Sequence, residues 1–467
     1  MKHALKYLAL AGFLLGMANK NPVRAQGSDS LERSVPVNNP GQNGLTGDSV
    51  YRFSLADALQ YGQQHNTQVK NALLDILIQE QSNRQVAAAA LPSVTGSGSL
   101  TDNLKLQTVL LPGEFMQQPA GTFVPVTFGT TYNITAGVDA NQVLFDGQVF
   151  IGLKARRTSM DWKKAQAEVT KENIRANIYK IYYQLVVSRT QMGLIQANID
   201  RISKLKHDTQ IMYENGVAEK LDIDKIDVQL TNLETEKQKL LVTIANGYNG
   251  LKILLGMPIS DKLILTDTLS EDQIKTGILV GNDFNYEQRN DYKALQLTRK
   301  LDEFNVKRYK YSKLPTLNLA ASYSKQNQQN DLSFSGDWFT SSFLSLRLNI
   351  PIFSGFSKNA QIKQAGYELL KADNQLFDLR QTIDNEITTA RNNFSSAISI
   401  MDYQKKNMEL AQKVYDQTKK KYEVGAGSQT EINTAQTDLK AAQTNYISAL
   451  YDAVIAKVDF LKATGRL

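Results

Sequence analysis

Few residues in this chain have the types and spacing that catalysis or metal binding needs. Its 467 residues include no cysteine, which excludes disulfides, thiolate metal ligands and cysteine nucleophiles. The three histidines, His3, His65 and His207, are far apart and lack the short spacings of metal-binding or catalytic motifs. We also find no grouping of acids, nucleophile and base that an exported hydrolase would need. The sequence therefore predicts no enzyme, no metal site and no cofactor.

The N-terminal 25 residues have the pattern of a secretory signal peptide. Lys2 and Lys6 provide positive charge, Leu8–Met17 form a short apolar core, and a small-residue cleavage site ends at Ala25. Residues 26–50 are polar and rich in glycine, proline, serine and asparagine, which predicts a disordered lead-in. We therefore expect an exported protein.

Charge and hydropathy restrict the environment of the mature chain. The formal net charge is +7, and the first 25 residues carry four basic residues and no acid, so the remainder carries 7 − 4 = +3. This near balance gives no reason to expect nucleic acid as a partner. Beyond the signal peptide no stretch approaches about 18 consecutive apolar residues, so no transmembrane helix is predicted. Either a soluble exported protein or a membrane β-barrel fits these properties.

The chain contains an internal duplication. VLFDGQ at Val143–Gln148 corresponds to PIFSGF at Pro351–Phe356, and YENGVAEKLDI at Tyr213–Ile223 corresponds to YEVGAGSQTEI at Tyr422–Ile432. The two offsets are 208 and 209 residues. The repeated order predicts two copies of one unit: helix, strand, loop, strand, long helix, turn and long helix. We place the boundaries at 51–256 for the first repeat, 257–285 for a connecting segment and 286–467 for the second repeat.

Each repeat ends in two long predicted helices. Residues 126–257 and the chain after Pro351 contain no proline, and apolar residues recur there at a spacing of three and four. Gly216 and Gly425-Ala426-Gly427 interrupt this pattern, and glycine tolerates the positive φ that a chain reversal needs. A helix of about 66 residues before the first turn would be roughly 100 Å long. Each repeat is thus predicted to form a long hairpin, with tips near 213–222 and 422–431.

Segments of alternating polarity precede the long helices. Residues 131–145, 316–325 and 342–353 alternate between apolar and polar side chains, and a weaker strand follows Pro92. One polar and one apolar face suits either an ordinary sheet packed on helices or a barrel in lipid, and export favours the barrel. Aromatic residues beside the two connecting loops suit a membrane interface: Phe115, Phe123, Phe128, Trp338, Phe339 and Phe343.

The number of strands has a consequence for assembly. Four strands of about ten residues are long enough to cross a bilayer at a tilt. They cannot close alone, because the smallest membrane barrels have about eight strands. Open edges in hydrocarbon leave backbone groups unpaired, at a cost of several kcal/mol each. We therefore expect the strands to pair with other copies of the chain, and a trimer would give twelve.

The order of these motifs resembles that of the TolC family of outer-membrane efflux proteins. The resemblance covers about residues 51–467 and is carried by LFDGQ, IPIFSGF, NAQIKQA, the YENG and YEVG turns, and the helix starts FSLADALQYGQQHN and QRNDYKALQ. It implies a mainly α fold with β structure: a homotrimer whose strands form one 12-stranded β-barrel, continued by an α-barrel of long helical hairpins. Residues 257–285 would form an equatorial connection. The strand-to-helix transitions would lie at Phe145, Gly147, Pro351, Phe353 and Gly355.

The resemblance also implies a function and partners. The chain would be a passive exit duct for drugs, toxic small molecules or secreted proteins, in an efflux pump or a type I secretion system. It would lie in the outer membrane, in contact with its lipid, with a long periplasmic portion. An inner-membrane pump and a periplasmic adaptor (a membrane fusion protein) would complete the assembly. The adaptor would dock on the hairpin tips, at Gly216, Val217, Ala218, Gly425, Ala426 and Gly427.

Asp222 and Glu431 match the positions at which the family narrows its periplasmic end with acidic residues. Each lies six residues after a turn glycine, and three copies would form rings of negative charge that select for cations. Alternatively, each acid only complements the dipole at the start of a helix. Some members carry a second acid three residues later, where this chain has Lys225 and Thr434, so a double ring is not predicted.

The alternative to a membrane channel is a soluble periplasmic protein. A soluble periplasmic coiled-coil adaptor or scaffold would have one hairpin and a separate globular sheet domain, in place of two hairpins and four alternating strands.

The basic segment Arg299–Lys313 just precedes a strand. It would face either the headgroups of anionic lipids or solvent, as an ordinary polar helix face.

Overall fold

The computed structural model describes residues 50–269, 271–275 and 284–467. The predicted signal peptide, residues 26–49 of the predicted lead-in and part of the predicted connecting segment lie outside these residues. Val50, the last residue of the predicted lead-in, already belongs to a strand.

The elements follow the duplicated order, with additions in the first repeat. The first repeat and the connecting segment contain β1 (Val50–Phe53), α1 (Leu55–His65), α2 (Thr67–Ala88), β2 (Ser93–Asp102), β3 (Gln107–Pro112), β4 (Phe123–Phe128), β5 (Tyr132–Phe145), α3 (Gly147–Glu214), α4 (Lys220–Leu255), β6 (Lys262–Leu265) and α5 (Glu271–Lys275). The second repeat contains α6 (Asn290–Tyr311), β7 (Thr316–Gln329), β8 (Trp338–Asn349), α7 (Ser357–Glu423) and α8 (Gln429–Ala463). Single-turn 3₁₀ helices lie at Gly113–Met116 and Tyr286–Gln288.

One four-stranded antiparallel sheet joins the two repeats. Its order is β2-β5-β7-β8, so a strand of the first repeat pairs with a strand of the second at the centre. Tyr132 lies opposite Gln329, and the register between β5 and β7 shifts between Val143 and Phe145. Strands β2 and β8 form the two edges, and neither has a partner on its outer side within the described residues.

The connection between β2 and β5 differs from the predicted loop. Strands β3 and β4 pair antiparallel, with Gln107 opposite Phe128 and Pro112 opposite Phe123, and form a two-stranded ribbon separate from the main sheet. Residues 103–131, which contain the ribbon, separate β2 from β5, whereas only residues 330–337 separate β7 from β8. Phe123 and Phe128 therefore lie in strands, and the first repeat holds more strands than the two predicted.

Local capping explains where the shorter helices begin. Ser54 Oγ accepts the Asp57 N–H at 3.2 Å, and the Asp57 carboxylate accepts the Ser54 N–H at 3.0 Å, which is a capping box at the start of α1. Hydrogen bonds from the Ser54 side chain and backbone lower the pKa of Asp57. Asn66 separates α1 from α2 and caps α2, because its Oδ1 accepts the N–H groups of Gln68 and Val69. The predicted first helix is thus two helices.

The two long hairpins pack on each other through an apolar seam. A buried cluster near the tips takes residues from all four long helices: Ile202 and Leu205 from α3, Ile226 and Leu233 from α4, Tyr415 and Tyr422 from α7, and Ile432, Ala435 and Leu439 from α8. The 68 residues of α3 correspond to a helix of about 100 Å. The predicted spacing of apolar residues therefore serves contacts both within and between the hairpins.

Arg289 ties three helices together where the second repeat begins. Its buried guanidinium donates to Asp291 at 2.6 Å, to Glu386 on α7 at 2.8 Å and to the Ala463 carbonyl at the end of α8 at 3.1 Å. Burial raises the pKa of Asp291, but the hydrogen bond and charge of Arg289 outweigh it, so the pKa lies below its ordinary value. This cluster fixes α6 against the second hairpin.

We expect Arg289→Gln to destabilise the protein much more than Arg299→Gln. Both arginines pair with two carboxylates, but the side chain of Arg289 is 8% exposed and that of Arg299 is 38% exposed. Loss of the buried Arg289 guanidinium should lower the free energy of unfolding by about 3 kcal/mol, and loss of the exposed Arg299 guanidinium by at most about 1 kcal/mol. Urea unfolding of the detergent-solubilised protein measures both.

The pH dependence provides a second check on this cluster. Because the folded-state pKa of Asp291 is depressed, its stabilising contribution is present above the ordinary carboxyl value of 3.8 and is lost as the pH falls through the folded-state pKa. Equal losses of stability in the two variants at neutral pH would contradict the role of Arg289.

Candidate functional site

The two hairpin tips share one turn geometry. Gly216 and Gly425 have φ values of +78° and +73°, a region that glycine occupies without strain. The Gly216 N–H donates to the Tyr213 carbonyl at 2.9 Å, and the Gly425 N–H donates to the Tyr422 carbonyl at 3.0 Å. The two sequence repeats therefore also share their structure at the residues that reverse the direction of the chain.

The predicted docking residues lie together at these tips. Gly216, Val217 and Ala218 lie between α3 and α4, and Gly425, Ala426 and Gly427 lie between α7 and α8. The hydroxyls of Thr209 and Tyr422 are hydrogen-bonded at 3.3 Å, which holds the two hairpins side by side just before their turns. Val217 and Val424 are exposed at the turns. The structure thus brings both tips to one end and leaves apolar side chains on their surface.

Asp222 and Glu431 both cap the helix in whose first turn they lie. Each is the third residue of its helix, α4 or α8. The Ser428 N–H donates to Glu431 at 3.4 Å, while Ser428 Oγ accepts the Glu431 N–H at 3.2 Å. The Glu219 N–H donates to Asp222 at 3.4 Å. Within one chain, these carboxylates therefore satisfy backbone groups at helix starts.

The two acids differ in how far their charge is neutralised. Lys225 pairs with Asp222 at 3.6 Å, and the Asp222 side chain is largely covered. No lysine or arginine of the described residues forms an ion pair with Glu431, which is exposed. The charge of Glu431 is therefore the more exposed of the two.

The strand-to-helix junctions of the two repeats are built differently. In the first, Phe145 ends β5, Gly147 begins α3, and Asp146 between them accepts the Gln148 N–H at 2.8 Å. Gly147 is packed on Tyr311, whose carbonyl oxygen would lie 3.0 Å from an added Cβ. A side chain at this position would therefore separate α3 from α6.

The second junction contains a connector of seven residues. Strand β8 ends at Asn349, earlier than the alternation up to Phe353 predicted, and α7 begins at Ser357. Pro351, Phe353 and Gly355 lie in the connector. Gly355 and Phe356 both have positive φ, at +58° and +63°. Pro351 lacks the N–H that a further ladder bond would use, which explains why the strand stops before it.

A polar layer between the hairpins was missed by the sequence analysis. Asn198, buried on α3, donates to Gln443 Oε1 on α8 at 2.8 Å and accepts from Arg201 at 2.8 Å. The guanidinium of Arg201 also lies 5.0 Å from the Tyr415 ring centre, and burial raises the pKa of Tyr415 to about 12. The only signal in the sequence is a polar residue at a position where the apolar spacing would place a buried one.

Part of the connecting segment is fastened to the second hairpin. Glu271 on α5 accepts from Tyr446 on α8 at 2.7 Å and from Lys405 on α7 at 3.0 Å. Burial raises the pKa of Glu271, but these two hydrogen bonds outweigh it and bring the pKa below its usual value. Lys275 pairs with Asp402 at 2.6 Å. These contacts hold α5 across α7 and α8.

Among the described residues, no group of three or more histidine or acidic side chains could hold a metal ion. None of the helices in that part of the chain is long and apolar enough to cross a membrane.

Known proteins of similar sequence and fold belong to one class. The model of the family "Outer membrane efflux protein" matches residues 287–466, which lie within the second repeat. The chain is 22% identical over 435 residues to outer membrane efflux protein BepC of Brucella suis, covering 91% of this chain and 88% of that protein. It is 19% identical over 340 residues to outer membrane protein TolC of Vibrio cholerae, covering 72% and 77%.

A solved structure of CusC has the same fold. It superposes with a TM-score of 0.73 at 16% identity, over 91% of this chain and 95% of that one. The chain therefore has the fold of these solved outer-membrane proteins, mostly helical with some sheet. These matches confirm the predicted resemblance to the TolC family of outer-membrane efflux proteins. Proteins of this kind are transport channels, so the prediction that the chain is not an enzyme is also confirmed.

Proposed function

We propose that the chain forms the outer-membrane exit duct of a tripartite efflux pump or a type I secretion system. The relatives are outer-membrane efflux proteins, which supports this function over a soluble periplasmic adaptor. The observation that carries the proposal is a four-stranded sheet, open at both edges, that continues directly into helical hairpins about 100 Å long.

The open edges support a trimer. Strands β2 and β8 each leave one row of backbone donors and acceptors unpaired within the described chain. In hydrocarbon each unpaired group costs several kcal/mol, and only closure removes both edges. If β2 of one copy pairs with β8 of the next, three copies of a four-stranded sheet give one barrel of twelve strands. The helices would continue that wall as an α-barrel across the periplasm.

The hairpin tips support a docking role for the periplasmic adaptor. Both turns lie at the same end of the long helices, and Val217 and Val424 are exposed there. An adaptor would bind these turns, and an inner-membrane pump would supply the energy. The duct itself would be passive and would carry drugs, toxic small molecules or secreted proteins.

The acids beside the tips support a narrow, cation-selective end. Three copies of Glu431 around the axis would form a ring of negative charge that attracts cations and disfavours anions. Asp222 would contribute less, because Lys225 lies 3.6 Å from its carboxylate.

We expect the protein extracted from outer membranes to be a trimer. Light scattering with the detergent contribution subtracted should give a protein mass three times that of one mature chain. The same preparation should conduct ions in a planar bilayer. A monomer, or a protein that salt alone releases from the membrane, would instead indicate the soluble adaptor.

We expect Glu431→Gln to weaken the cation selectivity of that conductance. Glutamine keeps the capping geometry with Ser428 but removes the charge, so the helix start is preserved while the ring is neutralised. The reversal potential in a KCl gradient should shift towards zero for Glu431→Gln and shift less for Asp222→Asn.

Glu80→Gln is the matched control for the ring. Glu80 lies in α2 and pairs with Arg84 at 2.9 Å. Its neighbour Gln79 is hydrogen-bonded to Ser159 near the start of α3, at the opposite end of that helix from the tip. Neutralisation of Glu80 should leave the reversal potential unchanged. An unchanged potential in Glu431→Gln as well would remove Glu431 from the constriction.

A further inference from the structure

A basic cleft lies where the second repeat passes from strand to helix. It is an open space of about 580 Å³ between the end of α6 and the start of α7. We call it the junction cleft, and its lining residues are Lys310, Lys313, Phe356, Asn359, Ala360, Ile362 and Lys363. It is separate from the hairpin tips and from the acids beside them, and the proposed transport function assigns it no role.

The charge of the cleft is of one sign. Residues 304–314 and 350–367 contain no aspartate or glutamate, and their cations are Lys307, Arg308, Lys310, Lys313, Lys358 and Lys363. None of the carboxylates in the described chain forms an ion pair with Lys310, Lys313 or Lys363. Like charges around one cleft repel one another, so a bound anion would stabilise this part of the structure.

Hydrogen bonds hold the two walls of the cleft in place. Lys313 Nζ donates to Asn359 Oδ1 at 2.6 Å, and Lys358 Nζ donates to the Ser312 carbonyl. Both bonds join the end of α6 to the start of α7. The ammonium groups of Lys310 and Lys363 make no such bond within the described residues, so they remain available at the mouth of the cleft.

Apolar side chains lie immediately beside these cations. Ile352 is 93% exposed, Phe353 75% and Phe356 70%, and the rings of the two phenylalanines meet edge to face at 5.5 Å. Ile350 is also exposed. Such a group of large apolar side chains is unfavourable in water and marks a surface that another apolar phase covers.

The first repeat has the same combination at its own junction. Phe145 and Phe150 contact each other with ring centres 5.6 Å apart. Lys154, Arg156 and Arg157 follow within the next two turns of α3. Aromatic residues at the junction and cations further along the helix therefore occur in both halves of the duplicated chain.

We propose that the junction cleft binds the phosphate of an anionic phospholipid in the membrane layer next to the helices. The exposed isoleucines and phenylalanines would enter the acyl chains, while Lys310, Lys313 and Lys363 would contact the headgroup phosphate, as in interfacial segments generally. The inference rests on the proposed function in one respect: the sheet must lie in the outer membrane. It then fixes the depth of the protein, with the strand-to-helix transition at the headgroup level.

Native mass spectrometry of the detergent-solubilised protein tests this site. Phosphatidylglycerol and phosphatidylcholine of equal chain length are titrated separately, and bound lipid is counted. The wild type should retain phosphatidylglycerol in preference to phosphatidylcholine. A triple variant, Lys310→Gln, Lys313→Gln and Lys363→Gln, should lose that preference. Each lysine near a membrane surface contributes about fivefold in affinity, so the triple loss is on the order of 100-fold.

Two further triple variants control for net charge and for folding. Lys419→Gln with Lys420→Gln and Lys421→Gln makes the same charge change at the far end of α7 and should leave the preference intact. Replacing the three cleft lysines by arginine should also preserve it, since the positive charges remain.

Three outcomes would overturn the proposal. The first is an equal affinity of the wild type for both lipids. The second is an equal loss of lipid preference in the cleft variant and in the variant at Lys419, Lys420 and Lys421. The third is displacement of phosphatidylglycerol by millimolar inorganic phosphate, which would indicate a site for free anions. A trimer that conducts ions but shows no lipid preference would contradict only the lipid site. A protein that forms no trimer and no pore would contradict the proposed function instead.

Discussion

The two unpaired edges of the four-stranded sheet are the constraint on which the rest of the account depends. Strands β5 and β7 are paired on both sides, whereas β2 and β8 are paired on one side only. Water can satisfy such edges, but hydrocarbon cannot. A single chain therefore cannot place this sheet in a membrane, and a closed assembly of several copies satisfies every edge at once. The proposed duct, its proposed acidic end and the proposed lipid-facing junctions all depend on that closure.

The transition from sheet to helix is the second demand on the chain, and the two repeats meet it differently. The first changes within one residue, because Asp146 caps α3 and Gly147 lets that helix approach Tyr311. The second needs seven residues and two consecutive positive φ values, at Gly355 and Phe356. The longer connector is what exposes Ile352 and Phe353 beside the lysines of the junction cleft. Both junctions combine aromatic residues with cations, but the second is the more exposed: Phe353 is 75% exposed and Phe145 38%.

Much of this architecture could be predicted from the sequence, because it rests on periodicity. The absence of proline and the spacing of three and four predicted α3, α4, α7 and α8 closely, and Gly216 and Gly425 predicted both turns. The ribbon of β3 and β4 was missed because its residues do not alternate: both faces of QTVLLP and FVPVTF are largely apolar. The hydrogen bond between Asn198 and Gln443 joins residues 245 positions apart, and spacing within one helix carries no information about such a pair. The capping of α4 and α8 by Asp222 and Glu431 is local, and one of the two alternatives considered for these acids already contained it.

The most direct test of the account is whether β2 of one copy meets β8 of another. The chain has no cysteine, so Ser97→Cys on β2 can be combined in turn with cysteine at Ser341, Ser342 or Ser345 on β8. Within one sheet these strands are three spacings apart, about 14 Å, which is too far for a disulfide. Oxidation in membranes should give covalent trimers in at least one double variant, whereas each single variant should give at most dimers. Double variants that stay monomeric while both thiols react freely with a maleimide would show that the edges do not meet, and would contradict the closed barrel.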